Sequence, residues 1–291
     1  MAADLQGDRV DEKLMLSIIT FFYGGDKMTE IFKFIDVDCS PSCIDQGYEI
    51  IDEDTLAQYV AWLLVGQSRH LIKIIEQLGD VVKTVNLETE HKATIISNLT
   101  LDEKAPKNER YKRDGWIFQM ISWLVVYFKL RDKKFKMAHP HDQPSMHGID
   151  GLAIVVEDGH IKNIIVTEDK CTDHPLTTIT SKVFPEFIDF EQGKKDTSLL
   201  NNVGTLLELL GDEYDDAHNE ITNKEIRQYR IGITRQECHN DNEGRQKLFA
   251  KYEDVVNGDI ERRTASSTYI AELRNWMDSF SEKIIQKIKL M

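Results

Sequence analysis

The chain is 291 residues long, 41% hydrophobic, with four cysteines and a formal net charge of -14. That length and apolar content are enough for a buried core and exclude a disordered chain, while the acidic balance excludes a protein that coats nucleic acid through bulk positive charge. Four irregularly spaced cysteines exclude a disulfide framework. The lone Cys39-x-x-x-Cys43 has no second pair to complete a zinc site and reads as two reduced thiols in a loop.

Taken in order, the first residues, MAADLQGDRVDEK, are acidic and polar, unlike a secretory signal. Leu14, Ile18, Ile19 and Phe22 recur at helical spacing, which predicts a helical stretch over residues 10–37, broken at Gly24-Gly25 and resumed from Met28 to Ile35. Two more helices are expected at 53–64 and 68–78, with Gly79 as a stop. The β-branched runs Val81 to Leu87 and Ala93 to Leu99 read as strands, and Asp102 to Asn108 as a connector. A long helix is expected from Glu109 to Leu130. Its Trp116–Phe128 stretch is the longest apolar run, interrupted by Gln119 and Ser122, and is too short to cross a bilayer. The expectation is therefore a cytoplasmic protein without membrane contact.

Residues 131–146 hold Pro140, Pro144 and two histidines and read as a loop. Gly151–Glu157 and Ile161–Lys170 read as a β-hairpin around Asp158-Gly159. Residues 184–210 are expected to be mainly helical with a break near Gly193, Arg227–Thr234 a strand, and 244–256 and 268–289 helices. The fold class that follows is α/β: a mixed sheet flanked by helices over residues 104–291, preceded by a mainly helical region over 1–103.

The residues that carry chemistry lie in the segment HGIDG…TEDK. Glu168 and Lys170 are two apart on a strand and share a face with Ile164 and Val166. Asp150 stands between Ile149 and Gly151 at the mouth of the preceding strand. A three-residue hairpin loop, or a bulge that restores the face, sets Asp150 opposite Glu168; a plain two-residue turn sets them on opposite faces. Two carboxylates beside a lysine are what phosphodiester hydrolysis needs. A hard divalent ion binds oxygen ligands and acidifies a water, and an ammonium orients that water and offsets negative charge.

A strand bearing Asp150, a hairpin, and a strand ending in Glu168-x-Lys170 resembles the PD-(D/E)xK nuclease superfamily, with Ile149-Asp150 in place of its Pro-Asp. The fuller string more narrowly resembles the HamA nuclease family of the Hachiman anti-phage system, over roughly residues 109–237. The resemblance implies a restriction-endonuclease-like fold and a Mg2+- or Mn2+-dependent DNA nuclease. It implies metal ligation by Asp150, Glu168 and the Asp169 backbone carbonyl, and placement of the nucleophilic water by Lys170. It also implies a superfamily 2 helicase (HamB-like) as partner, and an accessory acidic residue from the preceding helix, for which Glu109 is the first candidate and Asp114 the second. A non-catalytic DNA- or partner-binding subunit and a sequence-specific restriction endonuclease remain alternatives.

Residues 104–136 carry a local balance of +7 within the acidic chain. Lys129, Arg131, Lys133, Lys134 and Lys136 are candidate phosphate contacts leading toward the site, with Lys194 and Lys195 as an extension; a solvated helix end is the alternative. His139, His141 and His147 fit no zinc spacing. His147 is of interest because it stands three residues from Asp150. The stripe Tyr269, Leu273, Trp276, Phe280 and Ile284 reads as a helix face packed on the core.

Overall fold

A computed structural model of the protein describes residues 30–76, 87–102, 105–211 and 217–291. Seven strands form one mixed sheet in the order β1-β2-β7-β6-β5-β4-β3. The strands are β1 Phe32–Cys39, β2 Cys43–Ile50, β3 Phe135–Met137, β4 Gly151–Glu157, β5 His160–Lys170, β6 Arg227–Arg235 and β7 Arg263–Tyr269. β2, β7, β6 and β5 run parallel, and an antiparallel hairpin closes each side. The central strands are covered on both faces, so β6 is buried at every position except Gln228.

On one face lie α1 (Glu53–Leu64), α2 (Ser68–Ile75), α3 (Thr89–Leu99), α4 (Lys107–Leu130) and α9 (Leu273–Leu290), packed through one core that includes Trp116, Leu124, Phe280 and Ile284. On the other lie α5 (Pro175–Thr178), a π-helical turn, α6 (Phe184–Glu191), α7 (Asp196–Glu208) and α8 (Asn242–Leu248). Their core gathers Ile154, Val166, Phe187, Val203, Ile231 and Phe249. α4 presents few polar residues past its first two turns, because the sheet and helices enclose it on nearly all sides. Among the described residues no helix is long and apolar enough to cross a membrane.

Several expectations change. The helix expected to resume through Ile35 is instead β1; residues 10–29 of that stretch lie outside the described residues. Phe32 and Phe34 alternate with Lys33, a period of two, and pair in register with β2. Cys39 and Cys43 are therefore buried cross-strand neighbours, not loop thiols. Because β2 joins β7 in parallel, residues 32–50 belong to the same sheet as the strands of residues 104–291.

Ala93–Leu99 is part of helix α3. Ile95 and Leu99, four apart, are buried, and Ser281 of α9 donates to the Leu99 carbonyl at 3.0 Å, so packing overrides β-branched propensity. The strand expected at Val81 to Leu87 lies, apart from Leu87, outside the described residues. The loop at 131–146 contains β3, and the expected helix at 244–256 stops at Leu248. The C-terminal helix starts at Leu273 because β7 occupies 263–269.

Candidate active site

The β4–β5 hairpin determines the site. Its turn has two residues, Asp158 (φ 51°) and Gly159 (φ 82°), both left-handed as an Asp-Gly turn of this length requires. Glu157 pairs with His160 and Val156 with Ile161, but Val155 pairs with Asn163. Lys162 is thus an extra residue, a bulge that shifts the register by one. Beyond it Gly151 pairs with Thr167, so Asp150 stands next to Glu168 and Lys170. Of the sequence alternatives, the turn is the short one and the bulge restores the face.

Lys170 Nζ donates to Asp150 Oδ2 at 2.7 Å and to Glu168 Oε2 at 2.8 Å. Asp150 Oδ2 also accepts from the Asp169 peptide N–H at 3.0 Å, and its Oδ1 from Gln119 Nε2 of α4 at 2.8 Å. Glu168 is 5% exposed. Burial, and then the charge of Asp150, push its carboxyl up to about 7. For Lys170, burial opposes the charged form, but the Glu168 and Asp150 carboxylates outweigh it and hold the ammonium above its ordinary value.

Asp169 points to the opposite face of the sheet. Its Oδ1 accepts from Ser122 Oγ of α4 at 2.5 Å and lies 3.6 Å from Arg230 Nη1 of β6. Burial pushes its carboxyl up to about 6. Arg230 also donates to Ser122 and, across β7, to Ser266 at 3.0 Å. This anchor needs Gly232 beside Asp169: a Cβ there would lie 1.9 Å from Asp169 Oδ1. The buried anchor fixes the peptide whose N–H holds Asp150.

Other sequence candidates lie elsewhere. Glu109 is exposed in the first turn of α4, ten residues and so about 15 Å along the helix from Gln119. Asp114 is fully buried but bound by Arg113 at 2.7 Å and Arg274 at 2.6 Å. The residues α4 supplies at the site are Gln119 and Ser122. Their signal was the pair of polar interruptions, three apart, in the apolar run.

The basic segment does not lead into the site. Phe135 pairs with Val155 and Met137 with Ala153, so β3 runs toward the carboxylates and the residues before it lie near the hairpin turn. The Lys134 carbonyl accepts from Val156 N–H at 3.0 Å. Lys129, ten residues beyond Gln119 on α4, pairs with Asp36 at 2.9 Å. Lys133 and Lys134 thus sit near the hairpin turn, and Lys129 lies against β1 at the opposite edge of the sheet. Lys136, opposite Ile154, is on the face that carries α7.

His147 is exposed and borders a cavity of about 770 Å³ with Gly148, Ile149 and the start of α7. Among the described residues no three His, Cys, Asp or Glu side chains gather as a ready cage. Two carboxylates are the number magnesium takes while keeping waters. The donor set of Asp150 and Glu168 therefore fits Mg2+ or Mn2+, with Lys170 in the place a cation would contest. Comparison with protein-family models, curated proteins and solved structures gave no match.

Proposed function

We propose that this chain is a metal-dependent deoxyribonuclease of the PD-(D/E)xK type, hydrolysing phosphodiester bonds with Asp150, Glu168 and Lys170. The observation that carries the reading is the convergence of two carboxylates on one lysine ammonium at a sheet rim, with a fold that needs a bulge to bring them together. A Mg2+ or Mn2+ ion held by Asp150 and Glu168, with the Asp169 carbonyl, would neutralise phosphate charge and acidify a water. Lys170 would orient that water and offset developing negative charge. Gln119 and the Asp169 peptide hold Asp150 in place, and the Ser122–Arg230 anchor holds Asp169. The resemblance to the HamA family supports an effector role in an anti-phage complex, with a superfamily 2 helicase delivering the DNA.

One observation favours a second reading, a non-catalytic subunit that binds DNA or a partner: both Asp150 oxygens already accept hydrogen bonds from protein groups. Incubating the purified chain with supercoiled plasmid and linear DNA, in Mg2+, Mn2+ or EDTA and with or without a helicase partner, decides between them. The nuclease reading expects cleavage with metal, abolished by Glu168→Ala and by Lys170→Ala. Metal-independent cleavage, no cleavage in any condition, or full activity in both variants would refute it.

A further inference from the structure

The cavity beside His147 adjoins the carboxylate site, since Ile149 lines it and Asp150 follows. Its other wall is the start of α7 and the turn before it, with Lys194, Lys195, Ser198, Asn201 and Asn202. Ser198, Asn201 and Asn202 are three and four apart and share one exposed helix face. The lining is rich in donors: two ammoniums, an imidazole, two amides and hydroxyls, against one carboxylate, Glu186. In a chain of net charge -14 this lining holds more cationic than anionic side chains. The nearby Asp196 carboxylate is turned away onto Arg227 at 2.8 Å.

Both lysines have carboxylate partners, Lys194 with Asp189 at 2.7 Å and Lys195 with Glu186. These pairs are partly open to water; the Lys194 side chain is 60% exposed. An exposed pair such as Lys194–Asp189 contributes about 0–1 kcal/mol and exchanges readily for another anion. Neutral amide and hydroxyl donors beside mobile ammoniums are the groups that hold phosphate and sugar oxygens. An acidic ligand is the one this lining fits, and the carboxylates next to it would repel it unless it were a polyanion with contacts spread along the trough.

We propose that this trough, bounded by His147 and by Lys194, Lys195, Ser198, Asn201 and Asn202, holds the sugar–phosphate backbone of the nucleic acid next to the bond presented at Asp150, Glu168 and Lys170. The proposal rests on the nuclease reading of that site. It moves the phosphate contacts from the segment Lys129 to Lys136 to Lys194 and Lys195, which the sequence offered only as an extension, and to the start of α7.

The test is fluorescence anisotropy of labelled single-stranded and duplex DNA with the full chain in EDTA, over a salt series, so that binding is read without metal-dependent cleavage. Lys194→Gln/Lys195→Gln is expected to weaken binding about tenfold at low salt and to lower the log–log salt slope by about 0.7 per contact for single strands or 0.9 for duplex. Asn201→Asp, which leaves both lysines, should weaken binding in the same direction. Lys133→Gln/Lys134→Gln removes the same charge at the other end of the sheet and should leave affinity within about twofold. Equal losses from both lysine pairs would mean bulk charge and overturn the proposal. So would unchanged binding in both trough variants, or no binding by the unaltered chain to either DNA. Trough-dependent binding without metal-dependent cleavage would uphold the trough and remove the nuclease reading. Cleavage with trough-independent binding would do the reverse.

Discussion

Replacing Lys170 by methionine keeps most of the stem and removes the ammonium that two carboxylates share. Glu168 is nearly buried, and Lys170 is its hydrogen-bond partner at 2.8 Å. Removing one member of a buried ion pair costs about 3–5 kcal/mol. The Lys170 side chain is 26% exposed, so the lower end, about 3 kcal/mol, is expected at pH 8. For a chain of 291 residues that is a fall in Tm of about 5 °C.

The cost should depend on pH. The carboxyl of Glu168 is raised from 4.5 to about 7, so the folded state binds more protons than the unfolded chain across that interval. Its contribution is fully present below pH 4.5 and is lost as the pH rises through 7. As the pH falls below 7 Glu168 increasingly carries its own proton and depends less on the ammonium, so the methionine variant should lose less at pH 5 than at pH 8. Differential scanning calorimetry in EDTA at pH 5 and pH 8 reads both gaps. Lys247→Met, on an exposed helix face, is the control, expected within about 0.5 kcal/mol of the unaltered chain. A gap below about 2 °C at pH 8, or one larger at pH 5 than at pH 8, would refute the view that the ammonium offsets two close carboxylates.

The anchor behind the site gives further expectations. Gly232→Ala should destabilise by about 1–3 kcal/mol by displacing Asp169, and should reduce cleavage more than Gly159→Ala at the solvent-facing hairpin turn; equal activity in both would detach Asp169 from the site. Ser122→Ala removes a donor to one buried carboxylate and an acceptor from Arg230, so a loss of about 1–3 kcal/mol by urea denaturation is expected. Asp114→Asn leaves Arg113 and Arg274 without their shared buried partner and should cost about 3–5 kcal/mol while leaving metal dependence of cleavage unchanged. A shifted metal dependence would give Asp114 the accessory role that its position argues against.

The sequence made the α4 helix, the β4–β5 hairpin and β6 legible through their apolar residues: an enclosed apolar run in α4, Ile- and Val-rich runs ending in charge in β4 and β5, and Tyr229, Ile231 and Ile233 at a period of two in β6. It made β7 invisible. Arg263-Thr-Ala-Ser-Ser-Thr-Tyr269 is nearly all polar, yet it is buried almost throughout. Its ladder is supported by side chains from elsewhere: Asp45 accepts from the Ser267 N–H and hydroxyl at 3.0 and 2.6 Å, and Arg235 donates to the Ser267 carbonyl at 2.8 Å. A strand stabilised by partners 32 and 222 residues away has no local hydrophobic signal to read. β1 failed for a related reason: Met28 to Ile35 has a helical set of apolar residues, and the pairing with β2 decides otherwise.

The site itself divides in the same way. Glu168 and Lys170 follow from the two-residue period of a single strand, which any in-register reading of β5 yields. Asp150 does not, because its place depends on the count of residues around the turn. With the Asp158-Gly159 turn alone, every pair from Glu157–His160 onward would sum one lower, and Asp150 would stand opposite Thr167. The bulge at Lys162 adds the residue that reverses this. It lies eight positions from Lys170 on the same strand, at the exposed end of the sheet, so its effect on the site is exerted entirely through register. The third layer, Gln119 and Ser122, comes from a helix that precedes the hairpin by a long loop, and the two polar residues divide their work between Asp150 and Asp169. One strand supplies the acid and the ammonium, a bulge brings the second acid into line, and a buried helix braces Asp150 directly and Asp169 behind it. Only the first of these is a local property of the sequence.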